Sequence, residues 1–117
     1  MTLGDIATRI EAKVLTAGEA GGIAVERGYA GDRMSDVLDR ATSRTLVVSP
    51  LATAHVLRVA RLLDVPGVCF AGTDAPSGEL VAAADRQGTV LMASRLDAEE
   101  ICGRLRSHVA VENDLST

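Results

Sequence analysis

A chain of 117 residues is long enough for one hydrophobic core of ordinary size and too short for two. Its formal net charge is −4 and its twelve Lys and Arg residues are scattered, which argues against a nucleic-acid surface or a basic membrane anchor, since both need clustered positive charge. Apolar residues make up 47% of the chain but aromatic ones only 2%, so the core must be assembled from Ala, Val, Leu and Ile, typical fillings for helices packed on a sheet.

The two cysteines, Cys69 and Cys102, cannot form a four-thiolate metal site. Each lies in an apolar segment and is read as a buried small hydrophobe in a reducing compartment. Charged residues Asp5, Arg9, Glu11 and Lys13 break up the N-terminal apolar runs, and no later segment approaches the roughly 20 apolar residues of a membrane helix. A cytoplasmic location is expected.

In chain order, Thr2 caps a first helix whose apolar positions Leu3, Ile6, Ala7 and Ile10 recur at three and four. Residues 13–16 read as a brief strand, Gly18 to Gly22 as a turn, and Ile23 to about Tyr29 as a second strand. Met34, Val37, Leu38 and Ala41 form the stripe of the next helix. The continuous apolar run 45–48 predicts a strand covered on both faces, and Ser49-Pro50 predicts a helix start with Ser as the cap. Residues 68–71 form another strand, Asp74-Ala75-Pro76 opens a helix ending at Gly88, and 89–93 make the next strand. Asp97 caps the last helix, with Glu100 three residues on and Leu96 able to pack against Ile101. The order predicts a single α/β domain over residues 1–109, a mainly parallel sheet of four to five short strands with flanking helices. The tail 110–117 has no period and is expected to fray.

The stretch from Gly28 to Asp36 is a strand passing through a polar turn into a helix, a place where unpaired N–H groups and the helix dipole favour an anion. Gly28, Gly31, Asp32, Arg33 and Ser35 are the candidate ligand-binding residues here; the same residues also suit a plain tight turn with a capped helix. The glycines lack the third member of a dinucleotide fingerprint, and no Lys-Ser/Thr pair makes a P-loop. His55, with Thr53 and Arg58 nearby, is a second candidate contact, or else an exposed His on a polar helix face. Ser49 sits at a strand-to-helix elbow, but Pro50 removes the N–H an oxyanion hole would need. His and Cys spacings match no usual metal site, so no catalytic residue, metal or cofactor is assigned.

Three features together resemble the DRTGG domain family: Gly28-Tyr29-Ala30-Gly31-Asp32-Arg33-Met34-Ser35-Asp36-Val37-Leu38, the turn Val65-Pro66-Gly67-Val68, and Ala84 to Met92 followed by Asp97-Ala98-Glu99. The likeness runs from about Leu3 to about Leu105 and is greatest to stand-alone members. It implies an α/β domain that pairs with itself and has no catalytic role. Embedded copies occur in phosphotransacetylases and beside CBS domains in pyrophosphatases, where the domain is associated with adenine-nucleotide regulation. The ligand-turn positions it implies are Gly31, Asp32, Arg33 and Ser35. The literal Asp-Arg-Thr-Gly-Gly string is absent, and Leu51, Thr53 and His55 stand where similar members have Gln, His and Asn. The leading expectation is a non-catalytic, homodimeric regulatory domain binding a small anionic ligand such as an adenine nucleotide and acting on a protein partner. The alternatives are an assembly subunit without a ligand and, last, a small enzyme using Asp32 and His55.

Overall fold

The computed structural model describes residues 1–18 and 22–115. Most of the turn expected over Gly18 to Gly22 lies outside them, as do the last two residues of the tail. Eleven elements follow in the order α1 (Leu3–Arg9), β1 (Ala12–Val14), β2 (Arg27–Ala30), α2 (Met34–Arg40), β3 (Thr45–Ser49), α3 (Ala54–Leu62), β4 (Gly67–Ala71), α4 (Gly78–Gln87), β5 (Val90–Ser94), α5 (Ala98–Leu105) and β6 (Ala110–Asn113). The strands form one sheet in the order β1-β5-β4-β3-β2-β6. All neighbours are parallel except β1, which runs antiparallel to β5.

Alternation along the strands divides the core into two layers. Leu46, Val48, Cys69 and Met92 pack toward α1 and α5. Val47, Val68, Phe70 and Leu91 face the opposite way, toward α2, α3 and α4. Every residue of β3, β4 and β5 is buried, which explains why these strands read as unbroken apolar runs.

The helix ends follow local chemistry. Thr2 caps α1 in a reciprocal capping box with Asp5, whose carboxyl is held below its ordinary value by the backbone and hydroxyl of Thr2. Gly88 ends α4 with φ of 77°, the left-handed conformation that favours glycine. Asp97 caps α5 by accepting from the Glu100 N–H at 2.9 Å. Asp97→Ala should cost about 1 kcal/mol. A fall in Tm of about 4 °C measured by circular dichroism would match it, whereas an unchanged Tm would mean that packing alone fixes this helix end.

Three expectations are corrected. The second strand begins at Arg27 rather than Ile23; Ala24 instead makes an isolated bridge with Thr2, and Val25 donates to the Met1 carbonyl at 2.8 Å. Ser49 does not cap a helix: it ends β3, kept extended by the proline that follows, and its hydroxyl accepts from the Leu51 N–H at 3.1 Å. The helix starts at Ala54, after Thr53. Finally, residues 110–113 do not fray. They form the sixth strand, paired in parallel with β2 from Arg27↔Ala110 to Ala30↔Asn113. This edge strand is half-covered and its partner lies more than eighty positions earlier, so it carries no continuous apolar run.

Candidate functional site

In a parallel sheet with helices on both faces, ligands gather beyond the C-terminal ends of the strands, where successive helices leave to opposite sides. Here that reversal falls between β4, whose chain leaves toward α4, and β5, whose chain leaves toward α5. The two loops there are laced together. Gly72 N–H donates to the Leu96 carbonyl at 2.9 Å, Thr73 N–H to the Ser94 carbonyl at 3.0 Å, and Arg95 pairs with Asp74 at 2.9 Å. The exits of β2 and β3 lie at the same end of the sheet.

The turn after β2 carries four of the residues singled out in the sequence. Gly31 is buried, Asp32 half-buried, and Arg33 and Ser35 exposed. Arg33 stands at the N-cap of α2 with extended backbone, φ −110° and ψ 123°, and its side chain makes no cap hydrogen bond. On the neighbouring exit, Thr53 at the N-cap of α3 also makes no side-chain cap bond, and His55 is exposed in the first turn. By contrast, hydroxyl or carboxylate side chains cap α1, α4 and α5. At the exits of the paired strands β2 and β3, the N-cap side chains of α2 and α3 thus make no cap bond.

Gly28 is not brought to this turn. It lies within β2, aligned with Leu46 on one side and Val111 on the other. A Cβ there would lie 3.6 Å from both Leu105 and Val111, on the α5 side of the sheet. These are ordinary van der Waals distances, so Gly28 is a packed strand residue rather than part of the turn.

Gly31 has a different constraint. A Cβ would stand 2.7 Å from Cε2 of Tyr29 and 3.1 Å from its hydroxyl oxygen. The Tyr29 ring is fully buried beneath the turn, and its hydroxyl donates to Oδ2 of Asp114 at 2.9 Å. Burial, above all, and then the bond to Asp114 and the negative charges of Asp114, Asp36 and Glu112 push the Tyr29 hydroxyl well above its ordinary pKa. It therefore stays a protonated donor. Glu112 is itself held by Arg27 at 3.1 Å and Arg40 at 3.5 Å. Asp114 and its bond to Tyr29 have no signal in the sequence, because Asp114 is delivered by the end of β6, a strand with no clear pattern of its own.

Among the described residues, no three of His, Cys, Asp or Glu gather to hold a metal ion. Both cysteines are buried, and burial pushes the Cys69 thiol up to about 12. No described helix is long and apolar enough to cross a membrane. A space of about 150 Å³ lined by Arg61, Asp64, Gln87 and Thr89, among others, lies at the opposite end of β4 and β5. It falls below the roughly 300–1,000 Å³ of most small-molecule pockets.

No family model matches the sequence, and no curated protein matches it. Among solved structures, the fold is similar to that of the CBS and DRTGG domains of the regulatory region of Clostridium perfringens pyrophosphatase, determined with its activator diadenosine tetraphosphate. The TM-score is 0.70 at 14% identity, over 89% of this chain. The chain spans 45% of that structure's length. The fold is therefore related to that of a regulatory region.

Proposed function

We propose that this chain is a non-catalytic regulatory domain of the DRTGG type, which senses a small anionic ligand, of which an adenine nucleotide is the leading candidate. The observation that carries the reading is the shared fold with a regulatory region whose activator is an adenine dinucleotide. The starts of α2 and α3, where the N-cap side chains make no cap bond, support placing the ligand there, with Gly31 and Asp32 shaping the turn, the Arg33 guanidinium and the Ser35 hydroxyl on one side and His55 on the other. In this reading the protein works in the cytoplasm as a homodimer and acts on a protein partner by binding its ligand more tightly in one of two states.

Thermal unfolding with a panel of adenine nucleotides tests the proposal. At about 100 times its dissociation constant, a ligand specific to the folded state should add roughly 2.7 kcal/mol, a rise of several degrees in Tm. Arg33→Ala should remove most of that rise while leaving the unliganded Tm unchanged, because the side chain is exposed. A shift that survives Arg33→Ala places the ligand elsewhere. No shift across the panel overturns the nucleotide reading and leaves an assembly subunit, to be pursued by sedimentation and pull-down.

A further inference from the structure

The segment that follows β6 touches the last two residues of β2, just before the turn, in two ways. Asp114 N–H donates to the Ala30 carbonyl at 2.8 Å, and its carboxylate receives the Tyr29 hydroxyl at 2.9 Å. Beyond it, Leu115 N–H donates to Oδ1 of Asn113 at 3.1 Å, and the Leu115 side chain packs on the α1–α5 layer of the core. Tyr29 in turn fixes the space in which Gly31 sits, since even a Cβ on Gly31 would collide with its ring. Gly31 N–H donates to Val48 of β3 at 3.3 Å. A continuous set of contacts thus joins an exposed carboxylate on the C-terminal segment to a buried ring and then to the turn.

We propose that residues 113–115 are a strap that holds the turn between β2 and α2 in shape through Tyr29, with Asp114 as its positioning residue. Docking of the strap and ordering of the turn are one cooperative event, so any partner that lifts the segment also loosens the turn. The mechanical coupling stands on the contacts alone; its regulatory meaning rests on the ligand site proposed above.

Amide hydrogen exchange on the full chain, without ligand, tests the coupling. In Asp114→Ala, exchange should quicken about tenfold or more at the backbone amides of position 114 and Gly31, while Val68 and Leu91 in the central strands keep their protection. Tyr29→Phe, which removes only the hydroxyl, should reproduce the effect at Gly31. Asp114→Asn keeps an acceptor oxygen and should restore protection at Gly31. The strap is overturned if Gly31 is unmoved while Asp114 opens, if Val68 and Leu91 quicken equally, or if Asp114→Asn behaves like Asp114→Ala. Failure of the nucleotide panel would leave this result untouched, so the two readings fail separately.

Discussion

Phe70→Ala should cost about 3–5 kcal/mol of folding stability, a large part of the total for a domain of this size. Phe70 is the chain's only Phe and is fully buried in β4, between Ser49 of β3 and Ala93 of β5. It faces a layer built largely from Val and Ala, including Val56, Val59, Ala60 and Ala84. Such short side chains, several of them stiff at χ1, cannot swing into the space a ring leaves. The cavity therefore persists, which puts the loss in the upper part of the usual range. Urea denaturation should show a lower midpoint with an unchanged slope, and Phe70→Leu should recover more than half of the loss. A loss below about 1.5 kcal/mol would mean that the helices close over the site and that this layer is loosely packed.

Ser94→Ala should cost about 2–4 kcal/mol, although it deletes a single oxygen. Ser94 is 1% exposed at the end of β5. Its hydroxyl donates to the Ile10 carbonyl at 2.7 Å and accepts from the Leu96 N–H at 3.2 Å. That one group joins the end of α1 to the loop that starts α5. Its removal strands a carbonyl and an N–H where little water can reach, and a stranded buried group costs more than the bond itself was worth. The same variant should speed exchange of the Leu96 amide. A loss under about 0.5 kcal/mol, with Leu96 still protected, would show that the two groups find other partners.

The parts of this fold legible in sequence are those in which one residue's chemistry decides a local structure. Thr2, Gly88 and Asp97 mark helix ends because each satisfies orphan backbone groups by itself. The buried strands β3, β4 and β5 announce themselves by continuous apolar runs. Ser49-Pro50 misleads because the same pair suits a helix start and an extended bend, and a hydroxyl bond to Leu51 decides for the bend. β6 was illegible because edge pairing depends on a distant partner rather than on its own pattern. For the candidate site, the turn from Gly31 to Ser35 was visible as a polar break between strand and helix. Gly28 belonged to the strand, and the Tyr29–Asp114 bond could not be foreseen without β6.

The strand order also bears on how the chain reaches this state. Strands β2 through β5 lie side by side in sequence order, so each pairing closes a loop of modest length. The edges differ: β1 must find β5 some eighty residues later, and β6 must find β2 over a similar span. Loop-closure entropy delays such distant pairings until the middle of the sheet offers a template. Until β6 arrives, β2 has a bare edge, Asp114 has not met Tyr29, and the Gly31 turn lacks its final support. Assembly therefore runs from the centre outward, and the candidate ligand site is completed only when the β6 edge docks.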